Sequence, residues 1–184
     1  MLEIPADDKI VLRSVELRDA DDLFPLTDAS RQYLREWLPW VDSTRTVDDT
    51  RAFVDSALEQ QANNDGFHCT IWYEEKLVGM IGLGHIDWAN RKTEIGYWLG
   101  EEFQGNGIMT KSCQSLVSYL FDEIELNRVT IRVAVGNKRS RAIPERLGFV
   151  EEGTIRDAEW LYDHYVDSVI YGLLQRDIPN EHAS

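Results

Sequence analysis

The stretch Thr93 to Met109 constrains this chain more than any other, because it runs from a strand through a glycine turn straight into a helix. Ile95, Tyr97 and Leu99 alternate as a strand requires, and Gly105 and Gly107 permit a tight backbone. Met109, Cys113, Leu116, Val117, Leu120, Phe121 and Ile124 then recur at helical spacing. The turn therefore lies at a helix N-terminus, where unpaired backbone N–H groups and the positive end of the helix dipole bind phosphate oxygens without a basic side chain. An ordinary strand-to-helix connection has the same pattern, so the segment supports both readings. Two other phosphate motifs are excluded. Gly107 is followed by Ile108 and Met109 rather than by the Lys-Ser/Thr ending of a P-loop, and Gly82-Leu83-Gly84 lacks the third glycine of a dinucleotide fingerprint and opens no helix.

Around this segment the pattern predicts a first strand from Lys9 to Glu16, one or two helices from Arg18 to about Leu38, and a helix from Val47 to about Ala62. Thr46 is the expected N-cap of that third helix, with Asp49 completing a capping box. His68 to Tyr73 and Lys76 to Asp87 read as a hairpin across Glu74-Glu75, followed by the strand Thr93 to Leu99 and the helix Ile108 to Ile124. A strand near Val129 to Val135, a short helix near Ser140 to Leu147 and strands near Phe149 to Arg156 and Tyr165 to Leu174 complete the order. This order implies an α/β fold, a mixed sheet of about seven strands with helices on both faces. A length of 184 residues suits one domain, with a core at about 9–175 and a tail at 176–184.

No apolar run approaches the length of a membrane span, and the start of the chain is acidic rather than signal-like, so the expectation is a cytoplasmic protein. The net charge of −14 opposes nonspecific nucleic-acid binding. An acidic surface serves solubility and, more weakly, the attraction of cationic amines. Cys69 and Cys113 match no metal or redox spacing and read as core thiols, and the four histidines form no ligand pattern, so no metal is expected. His182 falls in the polar tail.

Gln104-Gly105-Asn106-Gly107-Ile108-Met109 resembles the Gln/Arg-x-x-Gly-x-Gly/Ala signature of the GNAT superfamily of acetyltransferases, with Met109 departing at the last position, where a long side chain can crowd the approaching pyrophosphate. Asn137-Lys138-Arg139-Ser140, Glu145-Arg146-Leu147-Gly148-Phe149 and Glu152-Gly153-Thr154-Ile155-Arg156 then follow in the order of the RimJ/RimL branch. The chain is also similar to that branch at Trp37-Leu38-Pro39-Trp40 and Ala158-Glu159-Trp160-Leu161, so the likeness spans roughly residues 10 to 175. The resemblance implies an acetyl-CoA-dependent N-acetyltransferase acting on a primary amine. The leading acceptor is the N-terminal α-amino group of a ribosomal protein. A small-molecule amine acetyltransferase and a non-catalytic acyl-CoA-binding module are the alternatives. It also implies a homodimer, for which a strand at Tyr165 to Leu174 offers a simple route if it lies at a sheet edge.

The resemblance places Tyr97, Trp98, Leu99, Gln104, Gly105, Asn106, Gly107, Ile108, Met109, Thr110, Asn137 and Ser140 against the cofactor. It makes a serine at Ser140 the donor to the leaving thiolate and a glutamate at Glu159 the general base. On its own, Ser140 reads equally as the N-cap of the following helix, and Glu159 as a solvated acid at a strand end. Glu94 is the second candidate for the base, and direct attack by the amine assisted only by a water chain is the competing mechanism. Asp167 is expected to organise loops by accepting backbone hydrogen bonds. Trp37 and Trp40 are either a buried corner or an acceptor wall, and Asp42 would then hold a cationic acceptor. An α-amine titrates near pH 8 and a lysine side chain near 10.4, so a modest base suffices for the former.

Overall fold

A computed structural model describes residues 2–178. Its strands are β1 (Glu3–Pro5), β2 (Ile10–Ser14), β3 (His68–Tyr73), β4 (Lys76–Leu83), β5 (Lys92–Leu99), β6 (Arg128–Ala134), β7 (Val150–Leu161) and β8 (His164–Leu174). The helices are α1 (Ala20–Ala29), α2 (Arg31–Arg35), α3 (Val47–Ala62), α4 (Ile108–Asp122) and α5 (Lys138–Arg146). All eight strands join one sheet in the order β1-β2-β3-β4-β5-β6-β8-β7. The mixed α/β sheet is as expected, with one strand more than the pattern suggested: β1 is three residues long, too short to carry an alternation. Its other strands start and stop near the predicted limits, except that β4 ends at Leu83 and β7 runs on to Leu161.

Local chemistry explains the main elements. Glu74 and Glu75 both take positive φ, 46° and 67°, the backbone a two-residue hairpin turn needs. Thr46 and Asp49 form the expected capping box, Thr46 Oγ1 accepting from the Asp49 N–H and Asp49 Oδ2 from the Thr46 N–H at 2.8 Å. Ile108, Met109, Ser112, Cys113, Leu116, Val117, Leu120 and Phe121 form the buried stripe of α4 against one face of the sheet. Each large apolar side chain fully buried there contributes about 1.5–3 kcal/mol. A smaller cluster, Val15, Ala20, Leu23, Val54, Ala57 and Met80, holds α1 and α3 on the opposite face. Cys69 and Cys113 are core thiols, and burial pushes Cys69 up to about 12.

Two features of the sheet place the site. Among the described strands every pairing is antiparallel except β5 with β6, which runs for only four residue pairs, from Lys92↔Arg128 to Ile95↔Ile131. Beyond Ile95 the two strands part while β5 stays bonded to β4 as far as Leu99. The second feature corrects an expectation: β8 lies between β6 and β7, so the Tyr165 to Leu174 segment is interior and β7 forms the edge. Residues 179–184, with His182, lie outside the described residues.

Candidate active site

The parting of β5 from β6 leaves backbone groups open inside the sheet. The Gly84 N–H donates to the Glu94 carbonyl and the Gly100 N–H to the Val78 carbonyl, so the even-numbered residues of β5 bond toward β4. Ladder geometry turns the odd-numbered residues the other way. The N–H groups of Tyr97 and Leu99 therefore face the gap, and the Leu99 carbonyl accepts from Gln104 Nε2 at 3.4 Å. Trp98, also expected against the cofactor, turns its backbone to β4 instead and borders two concavities.

Two concavities meet at Tyr97 and Trp98. A narrow cleft on the α5 side is lined by Trp37, Leu99, Gln104, Met109, Asn137 and Ser140, and a cavity of about 1030 Å³ on the α1 and α3 side by Trp40, Phe53, His68, Glu94, Gly96 and Arg132, among others. Leu38, Tyr97 and Trp98 border both. The Trp37-to-Trp40 loop thus divides its indoles: Trp37 stands in the cleft, 3.2 Å from where a Cβ on Gly136 would be, and Trp40 packs on Trp98 with ring centroids 5.9 Å apart. The loop is pinned by Tyr162, whose hydroxyl donates to the Leu38 carbonyl at 2.5 Å.

Asn137, not Ser140, caps α5, its side chain accepting from the Ser140 N–H at 3.2 Å. This leaves the Ser140 hydroxyl free of the capping role and 3.3 Å from the Tyr97 hydroxyl, which itself donates to the Ser140 carbonyl. Burial raises the Tyr97 phenol far above its ordinary value, so it stays protonated. The phenol was missed in the sequence: alternation names the face a side chain takes, not its partner 43 residues away.

Glu159 sits where β7 bulges. Between Ile155 and Glu159 the register slips relative to Ser168 and Val166 of β8, Asp157 takes φ 47°, and Asp167 Oδ1 accepts from the Asp157 N–H at 2.8 Å. Asp167 thus organises the backbone that carries Glu159. Burial raises the Glu159 carboxyl above its ordinary value, the neighbouring Arg132 opposes that rise, and Glu94 adds to it. Glu94 is paired with Arg132 at 3.1 Å on the wall of the large cavity. Arg132 was also missed, since nothing in the sequence aligns β6 with Glu94 and Glu159.

Asp42 is not brought to either concavity. Arg35 Nε donates to both of its carboxylate oxygens, at 2.8 and 3.0 Å, holding the carboxyl below its usual range, and the same guanidinium stacks 3.9 Å over the Tyr162 ring. Asp42 is a fastener of the tryptophan loop.

The glycine turn suits a pyrophosphate. Gly105 and Gly107 have φ of 79° and 73°, a Cβ on either would meet nothing within 4 Å, and Gly107 is the N-cap of α4 with no side-chain bond to it. Ile108 and Met109 are 1% and 6% exposed and pack in the core, Met109 also bordering the narrow cleft, and Thr110 is half-buried in the same turn. Met109 is thus largely buried rather than projecting into solvent at the turn. Asn106 spends its amide on the Phe103 and Gln104 carbonyls and shapes the loop.

An acetyltransferase (GNAT) domain model matches residues 9–150. The chain belongs to the GNAT family of acetyltransferases. It is 40% identical to YdaF of Bacillus subtilis (strain 168), over 98% of this chain and all of that one, a protein whose name as a ribosomal N-acetyltransferase is itself provisional. A solved RimL, a ribosomal L7/L12 alpha-N-protein acetyltransferase in complex with coenzyme A, superposes with a TM-score of 0.91 at 27% identity, covering 94% of this chain and 98% of its own. The microcin C7 self-immunity acetyltransferase MccE, solved with acetyl-CoA and AMP, gives 0.89 at 30% identity, over 92% and 94% of the two chains. This GNAT protein is an acetyl-CoA-dependent acetyltransferase of the RimJ/RimL kind. No helix among the described residues is long and apolar enough to cross a membrane, and none of their His, Cys, Asp and Glu side chains gather in a metal-holding group.

Proposed function

We propose that the enzyme acetylates the N-terminal α-amino group of a protein, a ribosomal protein being the leading class, by direct attack of the amine on the thioester. The observation that carries this reading is that the carboxylates lining the large cavity are already engaged. Glu94 is paired with Arg132, and Asp49 accepts from the Arg45 and Thr46 N–H groups. A polyamine needs free carboxylates for its second and third charges, whereas a peptide terminus needs a roomy cavity and one base.

In this reading Glu159 takes the proton of the α-ammonium, a task its raised carboxyl suits because the proton is passed to a group closer to it in pKa. The Tyr97 N–H donates to the acetyl oxygen as negative charge builds there. As the carbon–nitrogen bond forms and the carbon–sulfur bond breaks, the Ser140 hydroxyl turns from Tyr97 and gives its proton to the departing sulfur, while the second proton of the attacking nitrogen passes to the Ser140 oxygen and restores the hydroxyl. Gly105, Gly107 and the first turn of α4 hold the pyrophosphate.

The test is thiol release from acetyl-CoA with peptides bearing Ser or Ala at the N-terminus, set beside polyamines and aminoglycosides, for wild type and Glu159→Gln. Peptide turnover lost in the variant supports both acceptor and base. Turnover confined to small amines replaces the acceptor class. Tight CoA binding without any acceptor leaves a binding module.

A further inference from the structure

His68, on the floor of the large cavity, is used by none of the steps above, and its surroundings fix its chemistry. Gln60 Nε2 lies 3.1, 3.3 and 3.1 Å from the carbonyl oxygens of Asp65, Leu83 and Gly84. Only an NH₂ group can face three carbonyls, so the Gln60 amide has one orientation and its oxygen points at His68 Nε2, 3.2 Å away. That oxygen can only accept. Nε2 therefore carries the proton, and Nδ1 of the neutral ring carries a lone pair. Burial favours the neutral form by lowering the imidazole below its ordinary value, and Phe53 holds the ring edge-to-face at 5.4 Å.

Nδ1 has no hydrogen bond among the described residues. It stands over Gly82, where a Cβ would collide with it, and the registers place Gly82 between His68 on β3 and Gly96 on β5. Above Gly96 nothing lies within 4 Å of a Cβ position. An atom over Gly96 is thus about one strand spacing, roughly 4.8 Å, from the column that bears the lone pair. Tyr97, whose N–H faces the acetyl site, is the next residue along β5.

Building on the α-amine reading, we infer that His68 Nδ1 accepts a hydrogen bond from a hydroxyl on the first residue of the acceptor, so that the enzyme selects hydroxyl-bearing N-termini over alanine. The geometry suits a short β-hydroxyl: the amine lies at Tyr97, its own side chain crosses Gly96, and the hydroxyl meets Nδ1. The alanine analogue leaves the lone pair buried and unpaired, the situation in which a polar site rejects an isostere.

The test uses the full chain saturated with acetyl-CoA and four acceptors: serinamide, alaninamide and a matched pair of peptides beginning with Ser or Ala. The expected result is at least tenfold higher kcat/KM for the serine member. His68→Phe, which keeps the ring and its contact with Phe53, brings that ratio to about one without moving the KM for acetyl-CoA. His68→Asn, whose carbonyl oxygen stands near Nδ1, restores part of it. Nitrogen-15 NMR of the labelled histidines, in the CoA complex, should find Nδ1 unprotonated at neutral pH and shifted by serinamide but not by alaninamide. Equal rates for the two members, a ratio unchanged in His68→Phe, or a proton on Nδ1 overturns the inference. The amides keep the two claims apart: serine preference among the amides with no peptide turnover upholds His68 and refutes a protein N-terminus.

Discussion

Gly96 offers a sharp test of where the acceptor stands, because stability and activity should move in opposite directions. The residue lies inside β5, its φ is not positive, and a Cβ there meets nothing within 4 Å. A glycine in a strand interior costs about 0.5–1 kcal/mol relative to alanine, chiefly as backbone entropy lost on folding. Gly96→Ala is therefore expected to stabilise the fold by that amount. In a chain of this size 1 kcal/mol corresponds to about 2–4 °C, so the melting temperature should rise by about 1–4 °C. Gly96→Val keeps the strand propensity and fills the floor across which the acceptor side chain must pass. It should lower kcat/KM for the acceptor at least tenfold, about 1.4 kcal/mol, and leave the KM for acetyl-CoA unchanged, since Gly105 and Gly107 are not among the residues lining that cavity. Scanning calorimetry and thiol release read the two effects. A lower melting temperature for Gly96→Ala would refute the claim of open space. Full acceptor kinetics in Gly96→Val would refute the route over β5.

Four further outcomes follow from the geometry. Glu159→Gln should lose about 10²-fold or more in kcat. Burial raises this carboxyl in the folded state, so its charge costs stability above the ordinary glutamate value and the cost fades on acidification; the variant should melt above wild type near neutral pH and level with it in acid. Tyr97→Phe should reduce kcat while costing about 1 kcal/mol in urea unfolding, since it removes a hydroxyl bonded only to Ser140. Asp42→Asn should leave the acceptor KM unchanged, because Asp42 faces Arg35 and not the cavity; a raised KM would return it to the acceptor. Met109→Ala should cost about 2–5 kcal/mol by urea denaturation, the price of a core cavity, and milder loss would mean that the side chain is not in the core.

Much of the fold was legible because its signals are local. The Thr46–Asp49 box, the Glu74-Glu75 turn and the apolar stripe of α4 each rest on residues within a few positions of one another. What escaped is non-local or unpatterned. All but the last few residues of β7 are exposed, so no alternation marks its extent, and a bulge pinned by Asp167 carries it past the predicted end at Arg156 to Glu159. The site divides the same way. Gly105 and Gly107 announce themselves by composition, whereas Tyr97 with Ser140, Arg132 with Glu94 and His68 with Gln60 are pairs made by the sheet. Asp42 misled for the converse reason: its partner, Arg35, lies only seven residues away, yet a sequence does not say which of several charges an acid will meet.

The short parallel seam has a mechanical consequence. Strands β1 to β5 follow one another in the sheet as they do in the chain, and β6, β8 and β7 form a second block, so the two blocks are stitched by four residue pairs and by whatever spans them. Helix α4 is such a span, touching β1, β2 and β5 of the first block and α5 beside the second. The beam that braces the two blocks is thus the one whose exposed end holds the pyrophosphate in the proposed function. Under that proposal, grip on the cofactor and width of the gap are set by a single part, and a change that lets α4 shift along its length is expected to alter both together.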